Sequence, residues 1–325
     1  MKVLITGAGA LLGQGIIRAL RNSDLNATII AVDPDPLAAG LYWADAAYLV
    51  PWATEPDFLD QMERILARER PDVMLVGTDV ELTLLSQHRE RLEKKYDLHL
   101  VVSPEHVVHI AEDKWLTYQF LRELRMDYPA SCLPGDEDKL IAEVGFPLIV
   151  KPRIGCRSIG VSIVHNRDEL MRMVAADPGC VIQECVATPD DEYTAGALVF
   201  DGKCDATIVM RRQLRDGNTY QAFVNDYPEL NQHVRILAEK LKVHGPINIQ
   251  FRLDGDRMKV FEINARFSGT TPLRVHAGFN EVEMVIRHVM EQKPIIQPEI
   301  KPITILRHWS ETIVPHNMLL TPESP

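Results

Sequence analysis

The first part of the chain alternates short apolar segments with longer segments of helical periodicity, and this alternation restricts the fold more than any other feature. Apolar runs predict strands at residues 3–5, 28–32, 73–76 and 98–102. Helical spacing predicts helices at residues 12–20, 58–69 and 81–92. Strands that are separated by helices pair in parallel, with helices on both faces of the sheet. Residues 1 to about 105 are therefore predicted to form a Rossmann-like α/β domain.

Composition limits the partners and the compartment. The formal net charge of -11 argues against a nucleic-acid partner, because phosphate backbones are bound through clustered Lys and Arg. No run of about 18 apolar residues predicts a membrane span, and glycines interrupt the apolar stretch at the N-terminus, so neither a membrane nor a secretion signal is expected. The five cysteines are an odd number without the spacing of a metal or redox pair, which favours a reducing, cytoplasmic compartment.

Residues 247–264 show strand-like alternation on both sides of a turn. Polar positions at Asn248, Gln250 and Arg252 alternate with apolar ones, and Glu262 and Asn264 do so after turn residues 254–257. This pattern predicts a β-hairpin. If the polar positions of both strands share one face, the hairpin needs an odd-residue loop, with Gln250 opposite Glu262 and Asn248 opposite Asn264. These polar side chains are therefore expected to converge.

A glycine-rich turn follows the first predicted strand. Gly7, Gly9 and Gly13, with Asp33 after the second strand, are typical of a dinucleotide site, where glycines admit a pyrophosphate and the acid binds a ribose. The third glycine comes one position later than in the usual NAD spacing, and the first helix of any doubly wound sheet uses a similar tight turn. An NAD(P)-dependent oxidoreductase is therefore an alternative to a purely structural turn.

A series of charged, polar and glycine positions continues through the rest of the chain. Asp113 and Lys114 are predicted to begin a helix, and Lys114 is the first member of the series. The other members are Lys151, Gly155, Ser158, Gly160, Gln183 to Val186, Glu192, Gln250, Glu262, Asn264 and Arg266. In this order and spacing the series resembles the ATP-grasp superfamily, in particular the halves of carbamoyl phosphate synthetase large subunits and amino-acid ligases similar to the pyrrolysine-biosynthesis ligase. The resemblance covers residues 1 to about 290. It implies a leading domain at residues 1–105 that usually binds no dinucleotide, followed by two α+β ATP-grasp subdomains at 106–188 and 189–325.

The resemblance also implies which residues bind ATP. Lys114 and Lys151 would neutralise the phosphates, for which a compact cation is suited. A loop containing Gly155, Ser158 and Gly160 would cover the triphosphate with backbone amides and a hydroxyl, although Cys156 and Arg157 stand where relatives often have small residues. The segment from Glu184 to Val186 would bind adenine through its backbone, and Glu192 would accept hydrogen bonds from the ribose.

The hairpin would supply the metal ligands and the catalytic group. Gln250, Glu262 and Asn264 resemble the magnesium set of the family, and such oxygen ligands suit a hard ion that bridges phosphates. Two Mg²⁺ ions are implied, with Mn²⁺ as a substitute; because many relatives have an acid where Gln250 stands, one ion would be bound more weakly. Arg266 would stabilise charge on the transferred phosphoryl group, with Lys151 as the second catalytic residue.

The implied reaction is a carboxylate–amine ligation. A substrate carboxylate would be activated by Mg-ATP as an acyl phosphate and passed to an amine, which yields an amide or peptide bond, ADP and phosphate. Arg211, Arg212, Arg274 and Glu81 are candidates for binding the small-molecule carboxylate or amine. A homodimer is a further expectation, and a non-catalytic ATP-binding sensor is the remaining alternative.

Overall fold

A parallel sheet organises the first domain of the computed structural model, which describes residues 1–155, 159–186 and 192–321. The order across the sheet is β3-β2-β1-β4-β5, and every neighbouring pair is parallel. The strands are β1 (Lys2–Ile5), β2 (Thr28–Asp33), β3 (Ala46–Leu49), β4 (Val73–Leu75) and β5 (His99–Val101). The helices are α1 (Leu11–Arg21), α2 (Phe58–Glu69) and α3 (Leu82–Tyr96). The predicted α/β domain is confirmed, with β3 as a strand that the sequence patterns did not predict.

Helix α1 joins the first domain to the last part of the chain. Its apolar side, with Ile16 and Ile17, belongs to one core that also contains Phe267 and Val282. Each fully buried apolar side chain of this size contributes about 1.5–3 kcal/mol. This shared core holds the N-terminal end of α1 in place against residues 268–272.

The middle subdomain is a small antiparallel sheet with helices. Its strands lie in the order β6-β9-β7-β8 and are β6 (Ser131–Cys132), β7 (Leu148–Pro152), β8 (Ser162–Val164) and β9 (Cys180–Glu184). The helices before and within it are α4 (Glu105–Glu112), α5 (Lys114–Glu123), α6 (Glu137–Val144) and α7 (Arg167–Ala176). Leu148, Val150, Leu170 and Ile182 form a core of their own, distinct from the core that contains α1.

The last subdomain is built on a larger antiparallel sheet of order β14-β13-β10-β11-β12-β15. Its strands are β10 (Glu192–Phe200), β11 (Lys203–Arg215), β12 (Asn218–Val224), β13 (Gly245–Asp254), β14 (Arg257–Asn264) and β15 (Ile303–Leu306). The helices are α8 (Pro228–Leu241), α9 (Thr271–His276) and α10 (Glu281–Glu291). Strand β15 has four residues, and β12 and α8 were not predicted from the sequence.

The two antiparallel sheets face each other across a cleft. Strands β7 and β9 supply one wall, and β10, β11, β13 and β14 supply the other. Within the described ranges, no helix has both the length and the apolar character that a bilayer span requires.

Candidate functional site

The cleft between the antiparallel sheets collects most of the predicted nucleotide and metal residues. It encloses an empty volume of about 1030 Å³. The predicted residues that line it are Lys114, Lys151, Gly155, Glu184, Val186, Glu192, Gln250 and Glu262. Apolar side chains, among them Ile149, Val161 and Leu214, complete the walls. We call this the nucleotide-sized cleft.

Two lysines enter the cleft from the middle subdomain. The Asp113 side chain caps α5 by accepting the Trp115 backbone N–H at 2.8 Å, and this cap places Lys114 at the first helical position, as predicted. Lys114 Nζ donates to the Gly155 carbonyl oxygen at 2.8 Å. Lys151 Nζ donates to Gln183 Oε1 at 2.7 Å from the end of β7. Lys114 is therefore held at the glycine-containing loop, and Lys151 is held by β9.

Burial changes the protonation of one of these lysines. Desolvation lowers the pKa of Lys151 to about 7, although the nearby Glu262 carboxylate opposes this shift. An anion that entered the cleft would favour the charged ammonium and raise this pKa again. Lys151 is therefore suited to bind a phosphate group with uptake of a proton.

We expect ATP binding at pH 8.5 to take up roughly one proton at Lys151, and affinity to fall as the pH rises above about 7. At pH 6 Lys151 of the ligand-free protein is already protonated, so proton uptake on ATP binding should vanish. Calorimetric titration with ATP in two buffers of different ionisation enthalpy measures the number of protons. Lys151→Met is the matched control and should remove the uptake at pH 8.5; an unchanged uptake in this variant would contradict the assignment.

The predicted loop is only partly within the described residues. Gly160 has a φ of 74°, which favours glycine, and Gly155 lines the cleft. Ser158 lies outside the described residues, as do Cys156 and Arg157. The predicted hydroxyl contact of Ser158 with phosphate therefore stays a prediction.

The segment predicted to bind adenine lies at the other end of the cleft. The Glu184 carboxylate accepts the Ala130 N–H at 3.0 Å and pairs with Lys259 at 2.5 Å. The Val186 carbonyl oxygen accepts from Arg252 at 3.2 Å. Because the Glu184 side chain is already engaged, only the backbone of this segment is arranged to meet a base.

Glu192 is held between two arginines. Strand register sets it opposite Arg212 on β11 and opposite Arg252 on β13, and its oxygens accept from them at 2.7 and 2.8 Å. The carboxylate therefore faces the cleft already paired, and Glu192 and the two arginines together carry one net positive charge. Sequence reasoning did not assign Arg252 a role, although its position two residues after Gln250 on the same strand face is a signal that could have found it.

The hairpin of β13 and β14, which is predicted to bind the metal, has the predicted register but a different turn. Asn248 lies opposite Asn264 and Gln250 opposite Glu262, which confirms the predicted pairs. The expected odd-residue loop is wrong, because Asp254 pairs with Arg257 and residues 255–256 alone form the loop. A β-bulge on β14, where Phe261 lies opposite the step from Gln250 to Phe251, supplies the extra residue instead.

The three predicted metal ligands differ in how free their oxygens are. Within the described ranges, no cationic side chain forms an ion pair with Glu262, which receives an Asn264 Nδ2–H bond at 3.1 Å. Asn264 Oδ1 accepts from Arg266 at 3.0 Å, and Gln250 Oε1 accepts from Arg212 at 2.5 Å. A hard divalent cation fits best at Glu262, since a carboxylate without a cationic partner is its preferred ligand.

Arg266 links the hairpin to the first domain. Its Nε donates to Asp79 Oδ1 at 2.7 Å, and its Nη1 donates to the Phe267 carbonyl oxygen at 3.0 Å. Asp79, which precedes α3, is a partner that the sequence did not predict. Arg266 is thus fixed beside the β13–β14 hairpin by contacts from both domains.

A second cleft continues from the nucleotide-sized cleft. The two share Arg212, Gly217, Gln250 and Glu262 as lining residues. The second cleft has an empty volume of about 780 Å³ and is bounded by residues 10–12 and 78–80 of the first domain and by residues 266–270 and Arg307. We call it the inter-domain cleft; Glu262 and Arg266 both line it, and Asn264 connects them by hydrogen bonds.

Of the four predicted substrate residues, the structure brings one to these clefts. Arg212 lines both, whereas Arg211, its neighbour on β11, points to the opposite face and stacks on Phe223. Arg274 is fully buried and pairs with Glu281 at 2.9 Å. Glu81 is 3% exposed and accepts from Thr6. Arg274 and Glu81 therefore support the fold and do not reach a substrate.

The contacts of the glycine turn favour the structural interpretation over dinucleotide binding. Asp33 accepts the Gly9 N–H at 2.6 Å and the Asp35 N–H at 2.9 Å, so both carboxylate oxygens are used by the backbone. A Cβ at Gly40 would lie 2.1 Å from the Ala8 carbonyl oxygen, which shows that this segment packs directly on the turn. Both Asp33 oxygens that would accept hydrogen bonds from a ribose therefore already accept them from the backbone.

Three family models match successive parts of the chain. "PylC-like, N-terminal domain" matches residues 3–98, "RimK-like ATP-grasp domain" matches 111–244, and "ATP-grasp in the biosynthetic pathway with Ter operon" matches 181–311. Together they follow the order of the first domain, the middle subdomain and the large antiparallel sheet.

Curated relatives include carbamoyl phosphate synthase large chains. The chain is 25% identical to that of Methanosarcina mazei over 305 residues, which are 83% of this chain and 28% of the relative. It is 26% identical to that of Thermus thermophilus over 316 residues, 86% of this chain and 30% of the relative. The chain thus spans less than a third of the length of these relatives.

Solved structures share the arrangement of domains. N5-carboxyaminoimidazole synthetase from Staphylococcus aureus, complexed with ADP, has a TM-score of 0.74 at 16% identity over 94% of this chain and 81% of that chain. The biotin carboxylase domain of Hydrogenobacter thermophilus 2-oxoglutarate carboxylase, with MgADP and bicarbonate, has a TM-score of 0.68 at 18% identity over 93% and 72%. Over 93–94% of its length, the chain therefore has the fold of these proteins.

Proposed function

Starting from the ATP-grasp fold of this chain, which the family models and solved structures establish, we propose that it is an ATP-dependent carboxylate–amine ligase. One observation carries the proposal: Lys151 and Glu262 line the same cleft, and Glu262 also lines the inter-domain cleft. A triphosphate between the antiparallel sheets would place its last phosphate where the two clefts meet. The inter-domain cleft would hold the group that receives this phosphate.

The residues of the chain divide the work of binding ATP. Lys114 and Lys151 neutralise the phosphates, and Gly155 and Gly160, with Ser158, cover them. The backbone between Glu184 and Val186 binds adenine, while Glu192, already positioned by two arginines, meets the ribose. Solved structures of the same fold that contain ADP or MgADP support this assignment.

Magnesium fits the donor set at Glu262, with Asn264 and Gln250 as further oxygen ligands. Bound there, it would neutralise charge between the phosphates and on the transferred phosphoryl group. The second ion that the resemblance implies would require Arg212 to release Gln250 Oε1, to which it donates at 2.5 Å. Mn²⁺ is proposed as a substitute, because the same oxygen ligands suit it.

The proposed chemistry has two steps. A substrate carboxylate oxygen bonds to the γ-phosphorus, and the bond to the β-phosphate oxygen breaks to release ADP. An amine then bonds to the acyl carbon, inorganic phosphate leaves, and the nitrogen loses a proton. Arg266 stabilises the transferred phosphoryl group and the acyl phosphate, and positioning with electrostatics supplies most of the acceleration.

The setting of the enzyme is part of the proposal. We place the domain boundaries near residues 105 and 188, and the activity in the cytoplasm on small-molecule acids and amines. Cys132, Cys180, Cys185 and Cys204 are free thiols, which supports a reducing compartment. A homodimer is also proposed, which the dimer of the Hydrogenobacter thermophilus biotin carboxylase domain supports.

The test is a screen for ADP release with Mg-ATP and pairs of carboxylic and amino acids. We expect release with at least one pair, with dependence on both members. ATP binding without ADP release from any pair would favour the non-catalytic sensor. A chain that does not bind ATP at all would contradict the proposal.

A further inference from the structure

Arg307 projects into the inter-domain cleft from just beyond β15. Its backbone N–H donates to the Tyr220 carbonyl oxygen at 3.0 Å, which continues the pairing of β15 with β12. Its Nη1 donates to the Thr219 carbonyl oxygen at 3.1 Å, and its Nη2 donates to the Gly269 carbonyl oxygen. The guanidinium is therefore positioned by two backbone carbonyl oxygens, one on β12 and one at Gly269, three residues after Arg266.

Arg307 differs from the other cations of this cleft in its charge balance. Arg266 pairs with Asp79 and Arg212 pairs with Glu192, each at 2.7 Å. Within residues 1–155, 159–186 and 192–321, no carboxylate forms an ion pair with Arg307. Burial lowers the pKa of Arg307, and the like charge of Arg18 adds to this effect. A partly buried cation without an anion is costly, and a negative group on a ligand would remove that cost.

The surroundings of Arg307 favour a singly charged anion. Residues 10–12, at the start of α1, line the same cleft, and Ala10 caps this helix without a side-chain hydrogen bond. Ser268 and Thr270 add hydroxyl groups. Asp79 is neutralised by Arg266, but Glu262 also lines the cleft and would repel a doubly charged phosphate more strongly than a carboxylate.

We propose that Arg307 anchors a substrate carboxylate that does not react, so that a carboxylate-bearing small molecule is held in the inter-domain cleft with its other end toward Glu262 and Arg266. This rests on the proposed ligase function, which defines the reacting end. The anchored carboxylate belongs either to the acid, which would then be dicarboxylic, or to the amine, which would then be an amino acid. Leu11, Leu12 and Val80 form an apolar wall beside it.

Thermal melting with Mg²⁺ and a non-hydrolysable ATP analogue tests this inference without turnover. The probes are amino acids with their α-carboxamides, and dicarboxylic acids with their monoamides. At least one free acid should raise the Tm of the wild-type protein more than its amide does. Arg307→Gln should lose this difference, with a roughly ten- to hundredfold loss of affinity for the acid. If amino acids are the probes that stabilise the protein, the anchored carboxylate belongs to the amine. If dicarboxylic acids are, it belongs to the acid.

Arg18→Gln is the matched control, because it removes the neighbouring positive charge and should keep the preference for the acid. Unchanged binding of the ATP analogue shows that each variant is folded. The inference is overturned if acids and amides stabilise the wild type equally, if none of the probes stabilises it, or if Arg307→Gln keeps the preference. The ligase function is judged separately by ADP release, so a chain that releases ADP but treats acids and amides alike would lose only this inference.

Discussion

Glu262→Gln is expected to lower carboxylate-dependent ADP release by more than about a hundredfold and to raise the Mg²⁺ concentration that the reaction needs. The reason is that the variant removes the carboxylate that the described structure leaves without a cationic partner, at the meeting point of the two clefts. Substituting a residue that only hydrogen-bonds to a metal ligand already lowers metal affinity or activity by roughly 10–100-fold. The measurement is the rate of ADP release over a titration of Mg²⁺ at saturating ATP.

Two further variants sharpen this test. Glu291→Gln makes the same chemical change on the exposed end of α10 and should leave the rate within about twofold, since exposed ion pairs contribute little. Arg266→Ala should lower the rate by about 10²–10³-fold without changing the Mg²⁺ requirement, as expected for a group that stabilises developing charge. Near-normal turnover in both Glu262→Gln and Arg266→Ala would refute the assigned active site.

Glu281→Ala is expected to destabilise the chain by about 3–5 kcal/mol. The Glu281 carboxylate and the Arg274 guanidinium are both fully buried and joined by hydrogen bonds of 2.9 and 3.0 Å. Removing the carboxylate would leave the guanidinium charged in a region without water. Urea denaturation of the wild type and the variant measures the difference in the free energy of unfolding.

The double variant Arg274→Met/Glu281→Leu is the control for this prediction. It removes both charges together and should recover most of the lost stability, because two apolar side chains of similar size are often tolerated in place of a buried ion pair. Arg274 also donates to Asn248 Oδ1 at 2.6 Å, so the recovery is expected to be incomplete. A loss below about 1 kcal/mol in the single variant would show that the pair does not stabilise the fold.

Local patterns predicted the parts of the site that depend on neighbouring residues. Alternation of apolar and polar positions was enough to set Gln250 opposite Glu262, because a strand repeats every two residues. The cap at Asp113 likewise placed Lys114 at a helix start. The bulge at Phe261 was beyond such patterns, since a two-residue loop with a bulge and an odd-residue loop give the same register.

Contacts between distant segments were not predictable from the sequence. Asp79 and Arg266 are separated by 187 positions and meet only because α1 shares a core with residues 267–286. Arg274 and Glu81 carry charges that suggest surface roles, yet both are buried with polar partners. Their burial follows from how the domains pack, which periodicity within one segment does not report.

The separate core of the middle subdomain gives this unit a stability of its own. Leu148, Val150, Leu170 and Ile182 pack with one another, so the unit can tilt away from the large sheet while its own packing stays intact. In the proposed ligase, ADP release would then require a hinge movement of this unit and not its unfolding. Substitutions at the contacts between this unit and the large sheet would then change how long ADP stays bound without lowering the stability of the rest of the protein.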